Sequence, residues 1–157
     1  MAETQASDKP GVIAFPGVLY AAAFAAAYGL HLLWPVHLLP PAVAQWAGVA
    51  LCLVGAALIL WGITAMRRAK TNIYPELPAT ALVVSGPFRF TRNPLYLALA
   101  ILFVGLCLEV NTAWGFVVLV PLLLVMHYGV ILREERYLEG KFGESYRQYH
   151  STVRRYL

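Results

Sequence analysis

The chain has 157 residues, of which 60% are hydrophobic and only 13% are charged, whereas ordinary soluble domains carry about 25% charged residues. This composition excludes a water-soluble globular protein and indicates an integral membrane protein. The length fits one membrane-embedded domain, residues 1–157. The net charge of +4 does not predict nucleic-acid binding, because the positive residues flank apolar stretches and are explained by them.

Four apolar stretches predict an all-α membrane protein with four transmembrane helices, at residues 12–33, 42–66, 94–108 and 113–132. The first is predicted to be a retained helix and not a cleaved signal peptide. A signal peptide begins with a positively charged segment, whereas the segment before this stretch has one lysine and two acidic residues. The third is short for a span, at 15 residues. Only about four residues separate it from the fourth, which predicts a tight closing hairpin.

Small residues predict where helices pack. Gly48, Gly55 and Gly62 recur every seven residues along the second helix and form a smooth face that another helix can approach closely. The alanine-rich first helix is the expected partner. Cys52 and Cys107 lie in predicted spans outside any CxxC or Cys/His pattern, and the four histidines are scattered, so no metal site is predicted.

The distribution of basic residues predicts the orientation. Eleven of the 12 Lys and Arg residues lie in segments 67–92 and 133–155, and basic segments stay on the cytoplasmic side. Both termini and the connection before the hairpin are therefore predicted to be cytoplasmic. That connection, residues 67–93, is interrupted by prolines and is too long for an idle loop, and its apolar run ALVV predicts that it packs inward.

Helix signals continue on both sides of the hairpin. Asn93 is predicted to cap the third helix and Pro94 to occupy its first position. After the fourth helix, apolar and aromatic residues at spacings of three or four predict an amphipathic, membrane-surface segment at 133–157, bent near Gly140 and Gly143.

Charged side chains are expected to converge at the cytoplasmic end of the hairpin. Helical spacing places Arg92 and Tyr96 on one face of the third helix. It also places one set of residues on one face of the fourth helix and its continuation: His127, Ile131, Glu134 and Glu135. A ligand that carries both a carboxylate and a cationic group would find partners there.

Structural explanations remain open for each of these residues. Arg89 and Arg92 could be anchors whose side chains reach from the apolar region to the interface. Glu134 and Glu135 could be a solvated turn paired with neighbouring bases. His127 could join two helices by a hydrogen bond, and Tyr146 and Tyr149 could belong to an interfacial aromatic belt.

Two segments resemble the isoprenylcysteine carboxyl methyltransferases and their bacterial relatives, which share features with phospholipid N-methyltransferases. They are LVVSGPFRFTRNPLYL at residues 82–97 and REERYLEGKFGESYRQYHSTVRRYL at residues 133–157. The resemblance implies an integral enzyme of a bacterial inner membrane that binds S-adenosylmethionine in a cytoplasm-facing pocket. The family often has histidine where this chain has Asn93, and its paired acids match Glu134 and Glu135. The family's arginine upstream of the acids has no secure counterpart here.

The resemblance assigns a role to each candidate residue. Arg92 is expected to face the cofactor carboxylate, with Glu134 or Glu135 at its amino group or ribose hydroxyls. Backbone groups of Leu82, Val83 and Val84 are expected to face adenine, while Asn93, Pro94 and Tyr96 complete the pocket. His127 or a glutamate is the candidate proton acceptor if the acceptor is a thiol or an amine, whereas a carboxylate needs none. The expected acceptor is a small lipophilic molecule that enters from the membrane lipid.

A non-enzymatic function is the competing hypothesis, either as a membrane scaffold or assembly subunit or as a small transporter. A transporter should carry ionisable residues or broken helices near mid-membrane. The centres of the predicted spans hold no Asp, Glu, Lys or Arg, which disfavours transport. The scaffold hypothesis demands little of the sequence and is distinguished by cofactor binding.

Overall fold

The computed structural model describes residues 9–156, and the regular secondary structure in this part of the chain is all helical, without a β-strand. Residues 1–8, whose charges supported the retained first helix, and Leu157, the end of the predicted surface segment, lie outside the described residues. The helices are α1 (Pro16–Leu33), α2 (Pro41–Arg68), α3 (Pro94–Glu109), α4 (Trp114–Met126), α5 (Leu132–Phe142) and α6 (Glu144–Thr152). A 3-10 turn occupies Gly86–Arg89, and a π-helical turn, His127–Ile131, joins α4 to α5.

Three of these helical segments are long and apolar enough to cross a membrane. They are α1, α2 and the continuous 29-residue segment that runs from Trp114 through the π turn to Phe142. Helix α3 has 16 residues and spans about 24 Å at about 1.5 Å per residue, less than the about 30 Å of a bilayer core. A fourth crossing and a closing hairpin therefore remain predictions. The first three predicted stretches match α1, α2 and α3 closely, whereas the last helix continues beyond the predicted residue 132.

The glycine face of α2 packs against α3. A Cβ atom placed on Gly55 would lie 3.0 Å from the backbone of Ala98 and of Leu102, and one on Gly62 would meet the side chain of Leu95. The prediction that this face receives α1 is wrong, because α1 packs mainly on α4 and also on α3. The close approach of two backbones explains the glycines, since lipid-embedded helices associate through such packing.

A cluster of buried side chains joins α1, α3 and the last long helix. Tyr20 meets Phe103 edge to face with ring centroids 6.1 Å apart, and Cys107, Leu122 and Met126 fill the space beside them. Lipid is about as apolar as these side chains, so this cluster stabilises the fold through close packing more than through removal of water. It holds α3 and α4 side by side beneath the polar end of the bundle.

The connection after α2 folds over that polar end. The hydroxyl of Thr71 accepts hydrogen bonds from the backbone N–H groups of Thr80 and Ala81, at 3.1 and 3.3 Å. The N–H of Ala79 donates to the hydroxyl of Tyr137 on α5 at 3.0 Å. The loop therefore packs inward, as its apolar run predicts.

The chain turns back after α5 and ends beside the start of α3. Gly143 has φ of 53°, a left-handed conformation that favours glycine, and it separates α5 from α6. The predicted bend is thus at Gly143, while Gly140 lies within α5. After α6, residues 153–156 form a non-helical segment, called here the C-terminal strap, that crosses to residues 91–93.

Candidate functional site

The π turn sets the direction of the paired acids. A five-residue turn holds about one residue more than an α-turn, so it rotates the following helix by about 100°. The regular spacing that placed His127 on the same face as Glu134 and Glu135 is therefore interrupted between them. Glu135 is buried at the start of α5, and Glu134 lies beside it, half-buried.

Glu134 is tied to α3 by a short hydrogen bond. The hydroxyl of Tyr96 donates to Oε2 of Glu134 at 2.5 Å. Charge-assisted bonds of this length are among the stronger hydrogen bonds in proteins. The contact joins the start of α3 to the start of α5, which is the juxtaposition expected from the sequence.

Glu135 lies between two arginines. Oε1 is 3.4 Å from Nη2 of Arg92, whose side chain is only 7% exposed. Arg155, on the C-terminal strap, makes the closer contact: its Nη2 donates to Oε2 at 2.8 Å and its Nε lies 3.1 Å from both carboxylate oxygens. Hydrogen bonding to Glu135 raises the pKa of Arg155 above its ordinary value, so this side chain is always cationic.

Arg92 retains unused donors although it is buried. Its Nε and Nη1 atoms are enclosed and have no hydrogen-bond partner among the described residues. An unsatisfied buried donor typically costs about 1–3 kcal/mol, and charged groups cost more. Nε and Nη1 lie on different sides of the guanidinium, and each two-point edge of the group also uses Nη2, the atom that faces Glu135. An anionic ligand group can therefore accept from one free donor alone, or from one free donor together with Nη2. Arg92 is therefore suited to bind an anionic group that the protein itself does not supply. Arg89, by contrast, is exposed and lies over the Phe90 ring.

Residues 91–93 bind the C-terminal strap through hydrogen bonds. The Thr91 hydroxyl and the Asn93 side-chain amide both donate to the carbonyl of Arg155, at 3.0 and 3.1 Å, and the N–H of Arg92 donates to the carbonyl of Arg154 at 3.0 Å. Asn93 is the N-cap residue of α3, as predicted, but its side chain donates to the strap and does not bond to α3.

Two tyrosines of α6 close the site from the surface. Tyr146 is 2% exposed, and burial, with a further contribution from the charge of Glu135, raises its pKa to about 12. Burial also raises the pKa of Tyr149, whose hydroxyl donates to the carbonyl of Phe88 at 2.7 Å. Both phenols are therefore neutral at physiological pH and can act as hydrogen-bond donors.

Two cavities meet at these residues. The first, called here the polar cavity because Glu135 and Tyr146 line it beside apolar residues such as Leu82 and Val83, has a volume of about 80 Å³. Arg92, Asn93 and Glu134 are among the residues that it shares with the second cavity. The apolar cavity, of about 300 Å³, is bounded by side chains of α2 and α3 such as Ile59, Ile63, Leu95 and Leu99, and it reaches the same three shared residues. The charged side chains of Arg92 and Glu134 thus border both cavities.

The structure brings most of the sequence-predicted site residues together. Pro94 and Tyr96 line the apolar cavity, and Leu82 and Val83 the polar one. Val84 is 49% exposed and lines neither. His127 is also absent from both linings; its Nδ1 lies 2.6 Å from the hydroxyl of Tyr156.

Sequence reasoning missed Thr91 and Arg155 and gave Tyr146 and Tyr149 only a surface role. The contacts of Arg155 join residues that are far apart in the chain, so no local sequence spacing predicts them. The sole signal for Arg155 was its place in a basic segment.

Two comparisons with known proteins give matches. The family model for phospholipid methyltransferases matches residues 43–145, which include the glycine face of α2, α3 and the paired acids. An uncharacterized protein from Haemophilus influenzae is 36% identical over 63 residues, which are 40% of this chain and 100% of that protein. No solved structure matches the chain significantly.

Proposed function

Because this chain belongs to the phospholipid methyltransferase family, we propose that it transfers a methyl group from S-adenosylmethionine to a small lipophilic acceptor. The family indicates a membrane methyltransferase, and its three long apolar helices indicate an integral membrane protein. The cofactor, the acceptor and the membrane face are our proposal. The single observation that carries it is the buried, partly unpaired guanidinium of Arg92 at the junction of a polar and an apolar cavity.

The donor groups of the site fit the chemistry of S-adenosylmethionine. Its carboxylate would bind the free donors of Arg92, and Glu134 or Glu135 would bind its ammonium group or its ribose hydroxyls. Leu82 and Val83 provide an apolar wall for adenine. Ligand pockets usually have volumes of about 300–1,000 Å³, and the polar cavity is smaller than that. The connection after α2, which folds over the cavity, must therefore move outward when the cofactor binds.

The chain's contribution to the reaction is positioning, exclusion of water and proton transfer. When bound, S-adenosylmethionine supplies an electrophilic methyl group on a sulfonium, whose displacement needs no covalent protein nucleophile. Arg92 and the paired acids fix one reactant, and the apolar cavity aligns the other, which is the main requirement for an in-line displacement.

The acceptor would be an isoprenoid-like carboxylate, a thiol or a lipid amine. Its apolar part would occupy the apolar cavity beside α2 and α3 and would enter it from the lipid. A thiol or an ammonium group must lose a proton before it can attack. Glu134 lines both cavities and is the acceptor we propose for that proton, with the Tyr96 hydroxyl fixing its second oxygen. His127 lies outside the cavities and would act only through Tyr156.

The orientation follows from the charges around the site. The basic segments 67–92 and 133–155 lie at the end of the bundle that carries Arg92 and Glu135, so the positive-inside rule favours a cytoplasmic site and cytoplasmic termini. A bacterial inner membrane is the location that we propose. Cytoplasmic S-adenosylmethionine would reach the polar cavity from this side, while the acceptor reaches the apolar cavity from the bilayer.

Binding of the reaction product S-adenosylhomocysteine to detergent-purified protein tests the proposal by calorimetry. Wild type should bind, and Arg92→Ala and Glu135→Gln should each weaken binding by about tenfold or more, since contacts to charged groups contribute about 1.5–3 kcal/mol. Arg89→Ala is the matched control, because it removes an exposed arginine three residues away. No binding by wild type, or equal effects of Arg89→Ala and Arg92→Ala, would refute the assignment.

A further inference from the structure

The C-terminal strap, residues 153–156, connects the two elements that carry the charged site. On one side, residues 91–93 hold its backbone through three hydrogen bonds of 3.0 to 3.1 Å. On the other side, the Tyr156 hydroxyl lies 2.6 Å from Nδ1 of His127 on the π turn. The strap thus bridges the start of α3 and the turn that directs the paired acids.

Within this strap, Arg155 is placed to hold Glu135. Two donors converge on its carbonyl oxygen, from Thr91 and from Asn93, and its guanidinium contacts both oxygens of Glu135. Arg92 makes the longer contact with the same carboxylate, at 3.4 Å through Nη2 alone. Glu135 is therefore oriented by Arg155, and the remaining donors of Arg92 stay unused.

We propose that Arg155 is a positioning residue that keeps Glu135 away from full pairing with Arg92, so that Arg92 remains free to bind the carboxylate of the methyl donor. The inference rests on the proposed function. Without Arg155, the buried carboxylate has one cation left to pair with, and it would turn toward Arg92 and contact Nη2 together with one of the free donors, Nε or Nη1. A two-point Arg92–Glu135 pair would then compete with the anionic group of the ligand.

The first test is Arg155→Ala, measured by calorimetry with S-adenosylhomocysteine. We expect binding about tenfold weaker than in wild type, which corresponds to the loss of one charge-assisted contact. In a turnover assay, KM for the methyl donor should rise by a similar factor, while kcat at saturating donor stays within about twofold of wild type. Arg154→Ala is the control, because Arg154 is exposed and contributes its backbone carbonyl to the site.

The second test is a double-mutant cycle with Glu135→Gln. A glutamine amide does not compete for Arg92 as a carboxylate does, so adding Arg155→Ala to Glu135→Gln should weaken binding by less than about twofold further. A full additional loss of about tenfold would show that Arg155 acts independently of Glu135 and would overturn the inference. Arg155→Lys keeps the charge but cannot reach both oxygens, and we expect an intermediate affinity.

The outcomes separate the two proposals. If wild type does not bind S-adenosylhomocysteine, the proposed function fails and this inference fails with it. If wild type binds and Arg155→Ala binds equally well, only the inference fails. If Arg155→Ala does not give a folded protein by gel filtration, Arg155→Lys decides instead, and wild-type affinity in that variant would contradict the positioning role.

Discussion

The hydrogen bond between Tyr96 and Glu134 is the most direct link between α3 and the paired acids, and Tyr96→Phe removes it with little change in volume. The bond is 2.5 Å long and its acceptor is a carboxylate. Hydrogen bonds to charged groups contribute about 1.5–3 kcal/mol. If all of this energy stabilises the transition state, its loss lowers kcat/KM by about 10- to 150-fold. The reduction should be smaller if Glu134 finds a water in place of the phenol.

The assay for Tyr96→Phe is methyl transfer by purified enzyme at varied donor and acceptor concentrations. Because Glu134 is the proposed proton acceptor and lines both cavities, we expect kcat to fall with KM for the donor changed only modestly. Tyr128→Phe is the matched control, since Tyr128 is 63% exposed on the π turn. Wild-type kcat/KM in Tyr96→Phe, or an equal loss in Tyr128→Phe, would refute the role given to Glu134.

Two further predictions concern stability. Gly55→Ala should lower the free energy of unfolding by about 1–3 kcal/mol, because the new methyl meets backbone of α3 at 3.0 Å, whereas Gly62→Ala meets the end of a flexible Leu95 side chain and should cost less. Equal thermal unfolding midpoints in detergent would contradict this. Tyr146 has a folded pKa of about 12 against its ordinary 10.0, so the unfolded chain loses the proton first. Its contribution to stability is complete below pH 10 and is lost between pH 10 and 12. Between pH 10 and 12 the thermal unfolding midpoint of Tyr146→Phe should therefore fall less than that of wild type. An equal fall in both proteins would contradict the raised pKa of Tyr146.

The helices could be predicted from the sequence because apolar length and proline positions are local signals. The boundaries of α2 and α3 follow from Pro41, Pro94 and the charges that end each apolar run. The partner of the glycine face could not be predicted, because a smooth surface specifies close approach without specifying which helix approaches. The π turn also escaped prediction, since its five residues, HYGVI, carry no propensity that separates it from an α-helix.

Part of the site could also be predicted from local sequence signals. Arg92, Tyr96 and the paired acids were identified from helical spacing and from resemblance, and they do lie together. The loop residues 82–84 were assigned as a block, but Val84 faces outward because consecutive residues of an extended loop point in different directions. Arg155 was missed because its partner is 20 residues away, across a reversal of the chain.

The central claim is tested most directly by incubating membranes that contain the protein with methyl-labelled S-adenosylmethionine and extracting the lipid phase. The account predicts that wild type labels a lipophilic compound, that Arg89→Ala does so equally well, and that Arg92→Ala labels it at a small fraction of that level. Lipid-phase label no higher than in membranes lacking the protein, or undiminished label with Arg92→Ala, would contradict it.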